Sequence, residues 1–215
     1  MKRILILLLI ALAPTALHAS DLTTDRPRWS LEIKGGKLTP DIDNFSTAYD
    51  SHAMTEFEAA GAYKIIRQIE VGVEGGYSRA GGSGYAPLHN MKAGHVILNF
   101  YPVDVFVLAR GVIKEDQWVV PYVGGGWSRI YYREEIQDQG VARGFANGYH
   151  ARGGLQFMLD MIDADAANSA FRDYGLRHSY FFIEAKYTRA MADTVSGTST
   201  NIGGKSLLAG FLFEF

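Results

Sequence analysis

The sequence predicts an all-β fold, an antiparallel up-and-down transmembrane β-barrel of eight strands, with a count of ten left open. Three observations carry this reading. The closing residues Ser206 to Phe215 alternate: Leu207, Ala209, Phe211, Phe213 and Phe215 share one face, and Ser206, Gly210 and Glu214 share the other, with Leu208 and Leu212 between them. Alternation over ~10 residues that ends in an aromatic suits a strand with lipid on one face and a barrel interior on the other. The same period of two recurs along the chain. The composition, with 12 Tyr, 12 Phe and 24 Gly, suits aromatic girdles and a tightly curved wall.

The N-terminus reads as an export signal. Lys2 and Arg3 precede an apolar run from Ile4 to Ala13, Pro14 breaks it, and Leu17-His18-Ala19 ends in a small residue suited to cleavage. The run is too short to span a bilayer, so residues 1–19 are expected to be a signal peptide and 20–215 the barrel domain. Losing Lys2 and Arg3 takes the formal charge from −2 to about −4. The chain has no Cys, which excludes disulfides, thiolate metal sites and a lipid on an N-terminal cysteine. Beyond the first run, nothing approaches ~18 consecutive apolar residues.

Eight strands are expected in order. The first, about Trp29 to Leu38, alternates Trp29, Leu31 and Ile33 with Ser30, Glu32 and Lys34. The second, about Thr55 to Ile66, opposes Phe57, Ala59 and Tyr63 to Glu56, Glu58 and Lys64. The third, Ile69 to Tyr77, has the cleanest period, with Val71, Val73 and Tyr77 against Glu70, Gly72 and Glu74. The fourth, about Met91 to Tyr101, sets Val96, Leu98 and Phe100 against His95, Ile97 and Asn99. The fifth, about Trp118 to Arg133, has no clear phase because both faces carry large apolar residues. The sixth, about Phe145 to Leu159, opposes Tyr149, Leu155 and Phe157 to His150, Arg152 and Gln156. The seventh, about Leu176 to Ala190, opposes Phe181, Ile183 and Tyr187 to Phe182, Glu184 and Lys186.

An even strand count puts both ends of the mature chain on one side. Four polar loops, Thr39–Met54, Ser78–Asn90, Glu134–Gly144 and Met191–Gly204, then face the other. On the terminal side, Arg67-Gln68 reads as a tight turn and Asp160–Asp173 as a short surface helix. Pro102–Gln117 begins with the apolar stretch Val103 to Leu108 and is ambiguous. It can continue the fourth strand or form an extra hairpin, and that is what leaves ten strands open.

The interior network is expected from Glu32, Lys34, Glu58, Glu70, Glu74, Arg152, Glu184 and Lys186, with Glu56, Lys64, His95, His150 and Glu214 on the same inward faces. The interior of an eight-stranded barrel is just wide enough to be filled by side chains. Unpaired charges there cost several kcal/mol each, so a self-satisfied network is expected. Carboxylates outnumber Lys and Arg on these faces by seven to four, so some are expected to be wetted, protonated or wrongly assigned to the interior.

Catalytic and metal sites are not expected. Arg177-His178-Ser179 offers a His and a Ser, but neighbours on a strand point to opposite faces and cannot serve each other directly. The remaining His are scattered, and no two sit at i, i+2 on one strand. Gly124-Gly125-Gly126 lacks the Lys-Ser/Thr ending of a phosphate loop. No cofactor is expected, and the charge balance gives no case for nucleic acid.

With its signal peptide, its alternating strands, the run Pro121-Tyr-Val-Gly-Gly-Gly126 and the terminal Phe215, the chain resembles the small bacterial outer-membrane barrels of the OmpA and OmpW type. The resemblance implies a monomer among outer-membrane lipids and lipopolysaccharide. It also implies a closing strand, through Phe211, Phe213 and Phe215, that is read by the barrel assembly machinery. It leaves function open, since such barrels include anchors, adhesins, conduits and enzymes. A structural or surface-interaction role is expected. A conduit for small apolar solutes with Tyr131, Tyr132 and Phe145 at its mouth is the alternative, and a lipid A-modifying enzyme comes third. The lipid A deacylases of this class carry a His-x-Ser pattern, from which Arg177-His178-Ser179 departs.

Overall fold

The computed structural model describes residues 27–86, 91–114, 117–137, 140–193 and 199–215. The expected signal peptide and its cleavage point lie outside the described residues. Eight long strands close into one antiparallel up-and-down barrel: β1 (Trp29–Pro40), β2 (Met54–Ile66), β3 (Ile69–Ala86), β4 (Met91–Arg110), β5 (Val119–Ile136), β6 (Gly140–Met158), β7 (His178–Asp193) and β9 (Gly204–Glu214). Each pairs with its chain neighbour, and β9 closes the wall between β7 and β1. A short β8 (Ser199–Asn201) folds back on β7 in the last loop. The described termini meet at one end, where Arg28 N–H and Trp29 N–H both donate to the Phe215 carbonyl.

The ambiguous Pro102 segment is settled as a continuation of β4, so the barrel has eight strands and not ten. Asp104, Phe106, Leu108 and Arg110 point inward, and Val103, Val105 and Val107 outward. Pro102 has no N–H to donate, and the ladder to β3 skips from Gly75↔Val103 to Ser78↔Phe100 around it. Strand β4 also corrects the expected place of His95, which faces out and is exposed, while Val96, Leu98 and Phe100 are buried inside. On β5 the even-numbered residues face in, among them Val120, Tyr122, Ser128, Ile130 and Glu134. Gly126 is required there, because a Cβ at this inward position would strike the Val105 carbonyl oxygen.

The loop at Glu134–Gly144 is much shorter than expected. Strands β5 and β6 run to Ile136 and from Gly140, leaving only 137–139 between them. At the terminal end, Asp160–Asp173 does hold a helix, α2 (Ala164–Tyr174), while α1 (Phe45–Tyr49) lies in the first loop. Helix α2 is capped by Asp163, whose side chain accepts from Ala166 N–H, and Gly175 ends it in a left-handed conformation.

The first loop is not a purely polar excursion. Helix α1 (Phe45–Tyr49) folds back into the barrel mouth, and Ile42, Phe45, Ala48 and Tyr49 are buried there. They join Met54, Leu98, Phe100 and Ile130 in an apolar layer at the loop end. Strand β3 approaches so closely that a Cβ on Gly82 would overlap the Tyr49 backbone. A second apolar layer, with Phe106, Leu108, Tyr122, Phe182 and Leu212, fills the terminal end. Outside, Ile33, Phe57, Val73, Val105, Val123, Ile183 and Phe211 form an exposed apolar belt. An apolar surface of this extent marks a lipid-facing wall.

Candidate functional site

The barrel interior holds buried charge, its central group between the two apolar layers, built from residues two apart on neighbouring strands. All eight expected network residues, Glu32, Lys34, Glu58, Glu70, Glu74, Arg152, Glu184 and Lys186, point inward and are buried. They form two groups. In the central one, Lys34 Nζ lies 2.6 Å from Glu184 Oε1 and 2.6 Å from Glu74 Oε2, with Glu58 Oε2 at 3.4 Å. Arg152 Nη1 lies 2.8 Å from Glu74 Oε2 and 3.4 Å from Glu32 Oε2, and its guanidinium covers the Phe106 ring at 3.9 Å. The Tyr122 hydroxyl donates to Glu184 Oε2 at 2.8 Å.

Lys186 completes the central group. Its Nζ is held by Glu58 Oε1 at 2.7 Å, Glu74 Oε1 at 2.6 Å and Asp104 Oδ2 at 2.7 Å. Glu58, Glu74 and Asp104 would otherwise be close enough to chelate a cation. The ammonium takes that place, so the triad is a lysine site. His150 stands beside it, with Nδ1 2.9 Å from Ser128 Oγ and 3.8 Å from Asp104 Oδ2.

The second group lies toward the termini, around Arg110. Its guanidinium pairs with Glu214, donates from Nε and Nη2 to Gln156 Oε1 at 2.9 and 2.7 Å, and approaches Glu70 Oε1 at 3.8 Å. Lys64 also pairs with Glu214, and Ser30 Oγ donates to Glu70 Oε2 at 3.0 Å. Sequence reasoning missed Arg110, Asp104 and Glu134, all three buried inside. Arg110 supplies a base that the inward list lacked. The signal was present in the alternation of Asp104, Phe106, Leu108 and Arg110, but inward Phe and Leu opposite outward Val leave no polar–apolar contrast.

At the mouth, the Tyr49 hydroxyl of α1 donates to Glu134 Oε1 at 2.5 Å. Burial, then the Glu134 carboxylate, push this hydroxyl well above its ordinary pKa, so it stays protonated as the donor. The three aromatics expected at a lateral mouth do not share a face. Tyr132 is buried inside, while Tyr131 and Phe145 face outward with ring centroids 5.1 Å apart.

His178 and Ser179 both turn to Asp160. His178 Nδ1 lies 2.9 Å from Oδ2, and Ser179 donates to Oδ1 from Oγ at 2.8 Å and from its backbone N–H at 3.0 Å. Burial raises the Asp160 carboxyl, but these hydrogen bonds outweigh it and hold the group below the usual carboxylate range. In a nucleophilic triad the serine would donate to the histidine. Here both serve a carboxylate that ties β7 to the loop before α2.

No family model matches the sequence, and no curated protein matches it. Solved structures do. The outer membrane protein OprG from Pseudomonas aeruginosa aligns with a TM-score of 0.53 at 14% identity, covering 88% of this chain and 97% of that one. The fold is that of a small outer-membrane barrel. The N-terminal β-barrel domain of Pseudomonas aeruginosa OprF aligns over 88% of this chain and 100% of that one, at a TM-score of 0.49 and 12% identity. Neisserial surface protein A aligns over 87% and 96%, at 0.49 and 14%.

Proposed function

We propose that residues 20–215, after removal of a signal peptide at 1–19, form a monomeric barrel of the bacterial outer membrane that serves a structural or surface-interaction role. In this reading the terminal end faces the periplasm and α1 faces the outside. The barrel is neither an open pore nor an enzyme, and its closing residues Phe211, Phe213 and Phe215 are what the assembly machinery reads. The observation that carries the reading is the filled interior. Lys34, Arg152 and Lys186 cross-link carboxylates from opposite walls, apolar layers lie above and below them, and α1 occupies the mouth.

Planar bilayers test this directly. Purified protein is expected to give no steady conductance and to leave lipid A and phospholipid chemically unchanged. A steady single-channel conductance that shifts in Glu70→Gln or Arg152→Gln would overturn the closed-barrel reading and favour a conduit.

A further inference from the structure

The outward face of the loop end carries a row of six polar residues, four of them cations. Lys37 pairs with Thr55, Thr55 with Arg79, Arg79 with Asn99, Asn99 with Arg133, and Arg133 with Arg143, one residue from each of β1 to β6. One outward position nearer the membrane centre lies an aromatic row. Its rings follow one another from Tyr77 to Tyr101 at 5.4 Å, Tyr101 to Tyr131 at 5.8 Å and Tyr131 to Phe145 at 5.1 Å. Aromatics in this place mark the membrane–water boundary. The cations therefore stand at the level of lipid head groups.

One pair in the row is unusual. Arg133 and Arg143 are direct cross-strand partners, and like charges so placed repel. Arg133 is also paired with Glu135 at 2.8 Å, which leaves Arg143 facing a guanidinium that one exposed carboxylate serves. With Tyr131 and Val141, the two arginines border an open cavity of about 430 Å³. Below it, on the far side of Tyr131, Arg129 of β5 holds its guanidinium 4.5 Å over the Phe145 ring. Two planar cations beside an aromatic shelf at head-group level suit a phosphate on an amphiphile, which each guanidinium can grip through two N–H groups.

We propose that Arg133 and Arg143 bind a phosphate of lipid A, with Tyr131 beneath its sugar. The proposal rests on the outer-membrane reading and deepens it by naming the lipid and its site. Lipid A fits because it is a phosphorylated saccharide placed in the outer leaflet by its acyl chains, and the row combines cations with an aromatic ledge at that depth.

The test uses the full mature chain in phosphatidylcholine nanodiscs, titrated with lipid A and read by native mass spectrometry. Heat-modifiable mobility establishes that each variant is folded. The expected result is that Arg133→Gln/Arg143→Gln weakens binding by at least about tenfold, a loss in line with removing charge-assisted contacts. Arg172→Gln, a charge lost on α2 at the opposite end, is expected to bind as wild type. Lipid A stripped of phosphate is expected to bind as weakly as the double variant, and phosphatidylglycerol is expected not to compete. Equal binding by the folded double variant, or by dephosphorylated lipid A, overturns the site. Equal competition by phosphatidylglycerol overturns the assignment to lipid A. Cell fractionation reads the underlying premise separately: protein absent from the outer membrane defeats the location, whatever the nanodiscs show.

Discussion

Lys34 on β1 and Glu184 on β7 meet at 2.6 Å across the barrel interior, 150 residues apart in sequence and with β9 between their strands. The pair therefore ties together walls that the backbone ladder does not join directly. Its removal leaves buried carboxylates without their cation. Lys34→Met is expected to lower the unfolding free energy by roughly 3–5 kcal/mol, measured by urea titration in lipid. A change below about 0.5 kcal/mol would mean that the interior is wet enough to screen it.

The outward belt makes a prediction of opposite character. Val73 and Phe211 are 59% and 49% exposed on the lipid-facing side. Arg at either position, near mid-membrane, is expected to cost about 2–4 kcal/mol. At Gly210, which faces inward, any Cβ meets the Ile33 carbonyl and the Lys34 backbone, so Arg there fails by overlap. Free tolerance of Arg at both Val73 and Phe211 would refute the membrane register.

Helix α1 is held by close packing more than by chain length. Because a Cβ on Gly82 would enter the Tyr49 backbone, Gly82→Val is expected to lift α1 from the mouth while the ladders stay intact. Faster proteolysis within 41–53, together with any new conductance in planar bilayers, reports the displacement. Unchanged proteolysis would show that β3 yields instead.

Asp160 gives a pH dependence at the terminal end. Its carboxyl titrates below the usual range in the fold, because the bonds from His178 and Ser179 outweigh the effect of burial. A depressed folded-state pKa contributes stability above the unfolded value, about 3.9, and that contribution is lost as pH falls through the folded value. The protection of the Ser179 amide against exchange, relative to its intrinsic rate at each pH, is expected to fall over that acid window in wild type. In Asp160→Asn the same amide is expected to exchange without the acid step.

The C-terminal residue can be tested by deletion. Phe215 exchanges backbone hydrogen bonds with Trp29, N–H to carbonyl in both directions. Removing it deletes part of the seam as well as the terminal aromatic, and the yield of heat-modifiable barrel in membranes is expected to fall. Normal assembly would mean that Phe211 and Phe213 suffice.

Where polar and apolar residues alternate, the strands were legible, as in Glu70, Gly72 and Glu74 of β3 or Glu56 and Glu58 of β2. The same contrast placed the eight network residues on inward faces. It vanished where the interior itself is apolar. Val96, Leu98 and Phe100 are buried inside the loop-end layer, and an apolar inward face against a mixed outward one inverted the apparent phase of β4. Arg110 was hidden for the same reason, behind Pro102. The inward turn of α1 was invisible because Ile42, Phe45, Ala48 and Tyr49 are scattered among polar residues without a strand's alternation, and what buries them comes from distant strands. The arginine pair was equally hidden, since Arg133 and Arg143 become neighbours only through strand register.

The β1–β9 seam runs from Ser30↔Glu214 to Pro40↔Gly204 and joins the two ends of the chain. No shorter stretch of sequence can supply it. A chain whose last strand has not yet paired would expose two open strand edges and carry charges whose partners have yet to arrive. Closure is therefore a late, all-or-none event with a large entropic cost of bringing the ends together. Until it occurs, both edges stay open to pairing with other chains, so the interval before the last strand docks is when the polypeptide is most exposed to aggregation.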